Sequence, residues 1–181
     1  MIKKYGKPIK DQVRDLRKAL NDMPRIVGTE AVNFAQRNFD RQSFIDEQVV
    51  HWKPLSTKSL SKRHAKKGRK ALILTGALKR SIRIAHIGKN YVRVGADMPQ
   101  ARLHNEGGTI TQTVQVRTHR RHINRAFGRK LRHQTEYIVR SHKRKMNLTV
   151  PKRQYLGHSR FFDRRIDMLG KHRIKQALGI K

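Results

Sequence analysis

The sequence predicts an α+β fold: an N-terminal amphipathic helix region, an antiparallel sheet of about four to five strands, and a C-terminal helix. Three observations predict it. Apolar residues recur every three or four positions over residues 9–39. Between 81 and 95 the pattern changes to alternation on either side of Gly88-Lys89-Asn90. From 160 to 178 the helical spacing returns. A chain of 181 residues has the size of one domain with one sizeable core. We therefore read 1–181 as a single domain, helical over 9–39, with a sheet core over 71–156, a basic excursion at 117–145 and a helix over 160–178.

Each element has its own warrant. Ile9, Val13, Leu16, Leu20, Met23, Val27, Ala31 and Phe34 fall on one helical face. Pro24 interrupts that face without shifting its phase, so either a kinked helix or two helices with Asp22 as the second cap is expected. Residues 40–55 read as irregular and end at Trp52 and Pro54. Ser56 can cap a short helix over 57–65, followed by a basic loop over 62–70. Ala71-Leu72-Ile73-Leu74 is an apolar run that should enter the core, and Thr75 can cap the turn that begins at Gly76.

The stretch from Ser81 to Gly95 then reads as a β-hairpin, with Ile82, Ile84 and Val92 on one face. Pro99–Glu106 can form a short helix with Gly107 as its left-handed cap. Thr109–Arg117 alternates as a strand does. Residues 118–135 are strongly basic, and Tyr137–Val139 and Leu148–Val150 are strand pieces flanking a second basic knot at Arg140–Lys145. Pro151 ends the last strand, and Ser159 can cap the final helix, whose face is Phe162, Ile166, Leu169, Ile174 and Leu178.

Charge narrows the class of partner. Lys and Arg number 44 against 12 Asp and Glu, a formal net charge of +32. Such a chain repels itself unless polyanions, acidic protein surfaces or counterions screen it. The absence of cysteine removes disulfides, thiol nucleophiles and cysteine-based zinc sites. The first residues are basic with no apolar signal core behind them, and no apolar run reaches the roughly 18 residues a membrane span needs. The protein is expected to stay where it is made, away from membranes.

No catalytic constellation stands out in the sequence. His119, His122 and Asn124 invite a nuclease reading, but arginines surround them and disfavour a protonated histidine. They read instead as extra donors in a polycationic segment. No phosphate-binding glycine loop, zinc finger, RNA-recognition motif or helix-turn-helix is present. We expect no catalytic residues, no metal and no cofactor. The dispersed cations suit sequence-independent electrostatics.

What is distinctive is a series of four motifs: Trp52-Lys53-Pro54-Leu55-Ser56, Leu74-Thr75-Gly76-Ala77-Leu78-Lys79-Arg80-Ser81, Ala101-Arg102-Leu103-His104-Asn105-Glu106-Gly107-Gly108 and Val150-Pro151-Lys152-Arg153-Gln154-Tyr155-Leu156-Gly157. Each reads as a cap, turn or tight corner. In order and spacing they resemble the phage virion morphogenesis family, the tail-completion proteins of tailed phages. The resemblance spans about residues 50–160. It makes Trp52, Pro54, Leu55, Thr75, Gly76, Leu78, Ser81, His104, Gly107, Gly108, Pro151, Arg153, Tyr155 and Gly157 the structural motif positions. The chain departs from the family in carrying Pro99-Gln100 where an aromatic usually precedes Ala101, and in the basicity of 115–147.

The resemblance implies a non-enzymatic part of the virion neck or upper tail, present in the host cytoplasm during assembly. It implies a homo-oligomeric ring of six or twelve copies around the DNA channel. Its implied partners are the portal or head–tail connector, the tail terminator or tail tube, and double-stranded DNA bound without sequence specificity. A domain about 40 Å across would surround roughly 24 phosphates of threaded duplex, fewer than the +32 of one copy. Most of the charge must therefore face something other than that duplex. The expected contact set for DNA or an acidic partner is Arg117, Arg120, Arg121, Arg125, Arg129, Lys130, Arg132, Arg140, Lys143, Arg144 and Lys145. The competing reading from composition alone is a ribosomal-type RNA-binding protein.

Overall fold

Helix α1 spans Ile9–Arg41 in the computed structural model, which describes residues 7–55, 70–126 and 129–180. Pro8 precedes its first turn and Asp11 lies within it, where a negative charge is favourable. The chain runs through Pro24 as one helix, not two. At the C-terminal end Gln42 takes a left-handed conformation, φ 55°, and its backbone N–H bonds the carbonyls of Asn38 and Phe39. That conformation is costly for a residue with a Cβ. Here the Gln42 amide is clamped: its Nε2 donates to Phe39 O at 2.7 Å and Ala71 O at 3.1 Å, and its Oε1 accepts from Ala71 N at 2.5 Å.

Two compact units divide the chain, one of Met1–Gly107 with Pro151–Lys181 and one of Gly108–Val150. In the first, α1 is followed by strands β1 (Ser43–Ile45) and β2 (Val49–His51), an antiparallel pair where the sequence reads as irregular. Three-residue strands carry too little periodicity to register in a sequence, and β1 is buried at every position, so it does not alternate. The helix expected over 57–65 and the loop over 62–69 lie outside the described residues. Helix α2 (Ala77–Arg80) leads into the expected hairpin, β3 (Ile82–Ile87) with β4 (Val92–Ala96). Helix α3 (Ala101–Glu106) follows, and α4 (Arg160–Leu178) closes the unit with the bounds that its spacing predicts.

Two apolar clusters hold this unit. The larger is built on Phe39, Trp52, Leu78, Ile82, Ala101 and Tyr155, with Leu55, Val94 and Leu156 packed against it. The smaller joins Phe34, Phe44 and Ile45, with Phe162 of α4 alongside. Ser159 ties this second cluster: its Oγ accepts from Phe162 N at 3.1 Å, capping α4, and donates to Ile45 O at 2.8 Å. Glu30 of α1 pairs with both Arg37 and Arg165, linking α1 to α4. Gly28 lets α1 approach the hairpin, because a Cβ there would come within 2.8 Å of Val92 Cγ2 and 2.9 Å of Ile84 Cδ1. The apolar stripe of α1 is not all used: Ile9, Val13 and Leu20 are exposed.

The second unit departs most from the sequence reading. The segment read as a basic excursion is mostly strand, broken at 117–118 and 140–141: β5 (Gly108–Val116), β6 (His119–Ala126), β7 (Arg129–Val139) and β8 (His142–Val150). β5 pairs with β8 and β6 with β7, both antiparallel. The register continues across the break between them, from Val116↔His142 to His119↔Val139. It shifts only between Ile123 and Arg125. The described residues of 108–126 and 129–150 thus form one long two-stranded ribbon. Among the described residues the eight strands pair as four separate two-stranded ladders, in place of one sheet of four or five. The α+β class and the terminal helices stand as expected.

Candidate functional site

Three of the four motifs meet in the first unit. Gly107 ends α3 with φ 75° and ψ 174°, and its N–H bonds Leu103 O. Its φ is one that glycine favours, but its ψ is extended, so the cap is not the left-handed helical one that the sequence suggests. A Cβ at Gly107 would lie 2.7 Å from the backbone nitrogen of Lys152. The bare backbone of the third motif therefore admits the start of the fourth.

The fourth motif then lies along the end of α3. Arg153 N donates to His104 O at 2.9 Å. Asn105 Oδ1 accepts from both Tyr155 N (2.9 Å) and Leu156 N (3.0 Å), and the Tyr155 hydroxyl donates to Ala101 O at 2.9 Å. From α1, Asn38 Nδ2 donates to Tyr155 O at 3.3 Å.

The first motif closes the other side. Trp52 Nε1 donates to Gln154 O at 2.8 Å. Its indole stands edge-on to Phe39, with ring centroids 5.3 Å apart, and Phe39 also packs on Tyr155 at 4.8 Å. Arg153, only 5% exposed, donates from Nε to Lys53 O at 3.0 Å and from Nη2 to Pro54 O at 3.4 Å. A buried guanidinium bonded to two carbonyls acts as a backbone clamp: its fork holds the Lys53–Pro54 segment in place.

The second motif contributes packing. Leu78, and Ile82 just after the motif, lie in the same cluster as Trp52 and Tyr155. Gly76 (φ 71°) starts α2, Thr75 Oγ1 accepts from Ala77 N at 3.3 Å, and Ser81 Oγ donates to Leu78 O at 2.8 Å. Thr75 and Gly157 are themselves exposed, so these two mark turns at the surface.

Burial also tunes the junction's ionisable groups. The His104 imidazole is held below its ordinary pKa, first by desolvation and then by the Arg153 charge. Its Nδ1 is buried with no hydrogen-bond partner. Desolvation lowers the Arg153 guanidinium and raises the Tyr155 phenol. A neutral imidazole beside a cation suits a structural corner.

The ribbon is the other candidate. In β5 and β8 the register puts Ile110, Val114, Val116, Met146 and Leu148 on one face together with Gln112, Arg144 and His142, and Thr109, Thr111, Thr113, Gln115, Lys143 and Lys145 on the other. Ile110, Met146 and Leu148 are 41%, 45% and 56% exposed. Beyond Val116 the cations crowd: Arg117, Arg120, Arg121, Arg129, Lys130, Arg132 and Arg140 are all exposed. Arg125 lies in β6, with its side chain outside the described residues. His122 Nδ1 sits 2.9 Å from Glu136 Oε1, directly across the ladder. His119 Nδ1 lies 3.0 Å from Arg117 O.

Sequence reasoning missed the polar clamps. Asn38, Gln42 and Asn105 each bridge segments far apart in the chain, and a lone amide at a helix end carries no such signal. Among the described residues no group of His, Asp and Glu is placed to hold a metal ion.

The sequence model of the phage virion morphogenesis family matches residues 6–172, nearly the whole chain. The chain belongs to the phage virion morphogenesis family. Neither the curated proteins nor the solved structures provide a match. Membership points to a structural, non-enzymatic part of the phage virion. No described helix is long and apolar enough to cross a membrane.

Proposed function

We propose that this protein completes the tail and joins it to the head connector, as one subunit of a ring around the DNA channel at the virion neck. Family membership supports the virion role, and the motif junction supports the structural one. A ring requires every copy to present the same surfaces at the same angles. Trp52, His104, Gly107, Arg153 and Tyr155 brace one corner through buried and half-buried hydrogen bonds and aromatic packing. The exposed Ile9, Val13 and Leu20 of α1 and Met168 of α4 supply apolar surface for neighbours.

The test is genetic and visual. A phage with this gene interrupted is expected to accumulate filled heads and separate tails, and adding the purified protein should restore joined particles. Normal yields of joined, infectious particles without it would overturn the reading. Native mass spectrometry checks the ring directly: a closed multimer is expected. A monomer that co-purifies with ribosomes would favour the RNA-binding alternative.

A further inference from the structure

The distal half of the ribbon, residues 117–140, differs from its base in a way that specifies a ligand. The base mixes apolar residues with Arg144 and His142 on one face and carries threonines with Lys143 and Lys145 on the other. The distal half carries eight Lys and Arg, seven of them Arg, with Glu136 as its one acid. Glu136 is already engaged by His122. No distal Arg or Lys with a described side chain makes a salt bridge among the described residues.

Placement decides between ligand classes. Consecutive strand residues point to opposite faces. Arg120 and Arg121 are consecutive in β6, and Arg129 and Lys130 are consecutive in β7. Cations therefore emerge from both faces of a ribbon only two strands wide. An acidic protein surface would meet one face and leave the other unscreened. A duplex groove has a row of phosphates on each wall, and the major groove admits a two-stranded ribbon. Arginine's planar fork also matches phosphate oxygens in pairs.

We propose that strands β6 and β7 form a sequence-independent binding element for the phosphates of duplex nucleic acid, with Arg120, Arg121, Arg129 and Lys130 as its principal contacts. The inference rests on the virion reading only for the source of the duplex. Phosphate contacts carry no sequence information, so any duplex of sufficient length serves as ligand.

The experiment uses the full chain and a 20-base-pair duplex DNA of arbitrary sequence, with affinity measured across a salt series. One variant carries Arg120→Ala, Arg121→Ala, Arg129→Ala and Lys130→Ala. A second removes the same charge from the exposed side of α1, through Lys10→Ala, Arg17→Ala, Lys18→Ala and Arg25→Ala. The ribbon variant is expected to bind at least about tenfold more weakly near 0.15 M salt. The slope of log K against log salt should become shallower by about 3 to 4, since each lost phosphate contact contributes about 0.9. The α1 variant should keep nearly the wild-type slope.

Equal losses in both variants would mean diffuse polycation binding and would overturn the proposal. So would an unchanged ribbon variant, or wild-type binding of polyglutamate as tight as that of the duplex. Should the ribbon variant fail to fold, lysine acetylation of the wild-type protein gives an independent answer. The duplex should protect Lys130 and leave Lys10 and Lys18 reactive, and the reverse pattern would sink the idea. Head–tail joining is a separate readout, so either reading can fail while the other stands.

Discussion

The indole Nε1 of Trp52 donates to the backbone carbonyl of Gln154 at 2.8 Å, joining positions 102 residues apart in the chain. The same side chain is 7% exposed and stacks its edge against Phe39. One residue thus ties the first motif to the last by a polar bond and to α1 by an aromatic contact.

Trp52→Phe separates those two roles. An aromatic ring stays to pack on Phe39, and the N–H is lost, leaving the half-buried Gln154 carbonyl without that donor. The expected cost is about 1–3 kcal/mol, read as a lower urea midpoint by far-UV circular dichroism. Trp52 is the only tryptophan, so the variant also loses the chain's indole fluorescence. An unchanged midpoint would show that the bond to Gln154 does not hold the junction.

Gly107 and Gly28 make opposite demands, although both are tight. Alanine at Gly107 meets backbone, Lys152 N at 2.7 Å, and φ there is 75°. Neither can relax cheaply, so Gly107→Ala should cost more than about 2 kcal/mol. Alanine at Gly28 meets the ends of the Ile84 and Val92 side chains. Overpacking of about 1–3 kcal/mol is there partly offset by about 1 kcal/mol of helix propensity. Gly28→Ala is therefore expected to be the milder of the two in chemical denaturation. The reverse order would contradict this account of the corner.

His104 makes stability depend on pH in a direction that burial sets. Its folded pKa lies below the ordinary 6.5, mainly through desolvation and secondarily through Arg153. Above about 6.5 both folded and unfolded forms are neutral there, and the contribution is fully present. As the pH falls, the unfolded chain takes up the proton first, so stability is lost until the folded pKa is passed. Denaturant midpoints between pH 8 and 5 should fall more steeply for the native chain than for His104→Gln. Parallel curves would remove His104 as the cause.

Much of the fold is legible locally. The α4 bounds, Arg160–Leu178, follow from Ser159 and the apolar spacing behind it. The hairpin follows from alternation around Gly88-Lys89-Asn90. The motif positions stand out as residues whose backbone or packing demands are unusual. What stays hidden is of two kinds. Short buried strands such as Ser43–Ile45 leave no periodic signature. Amide clamps such as Asn105, whose Oδ1 holds Tyr155 N and Leu156 N, look in sequence like any polar residue at a helix end.

By itself, then, the sequence determined the α+β class, the terminal helices, the charge and the family, because these depend on local periodicity, composition and motif order. Only the tertiary structure decided that Trp52, His104, Gly107, Arg153 and Tyr155 share one junction, since their bonds span about fifty to a hundred residues of chain. It also decided that the arginine-rich segment forms an antiparallel ladder, in register with β5–β8 as far as Ile123. Charge hides the alternation of such a strand: where arginines occupy both faces, no apolar period remains to read, and only the ladder of paired backbones reveals it.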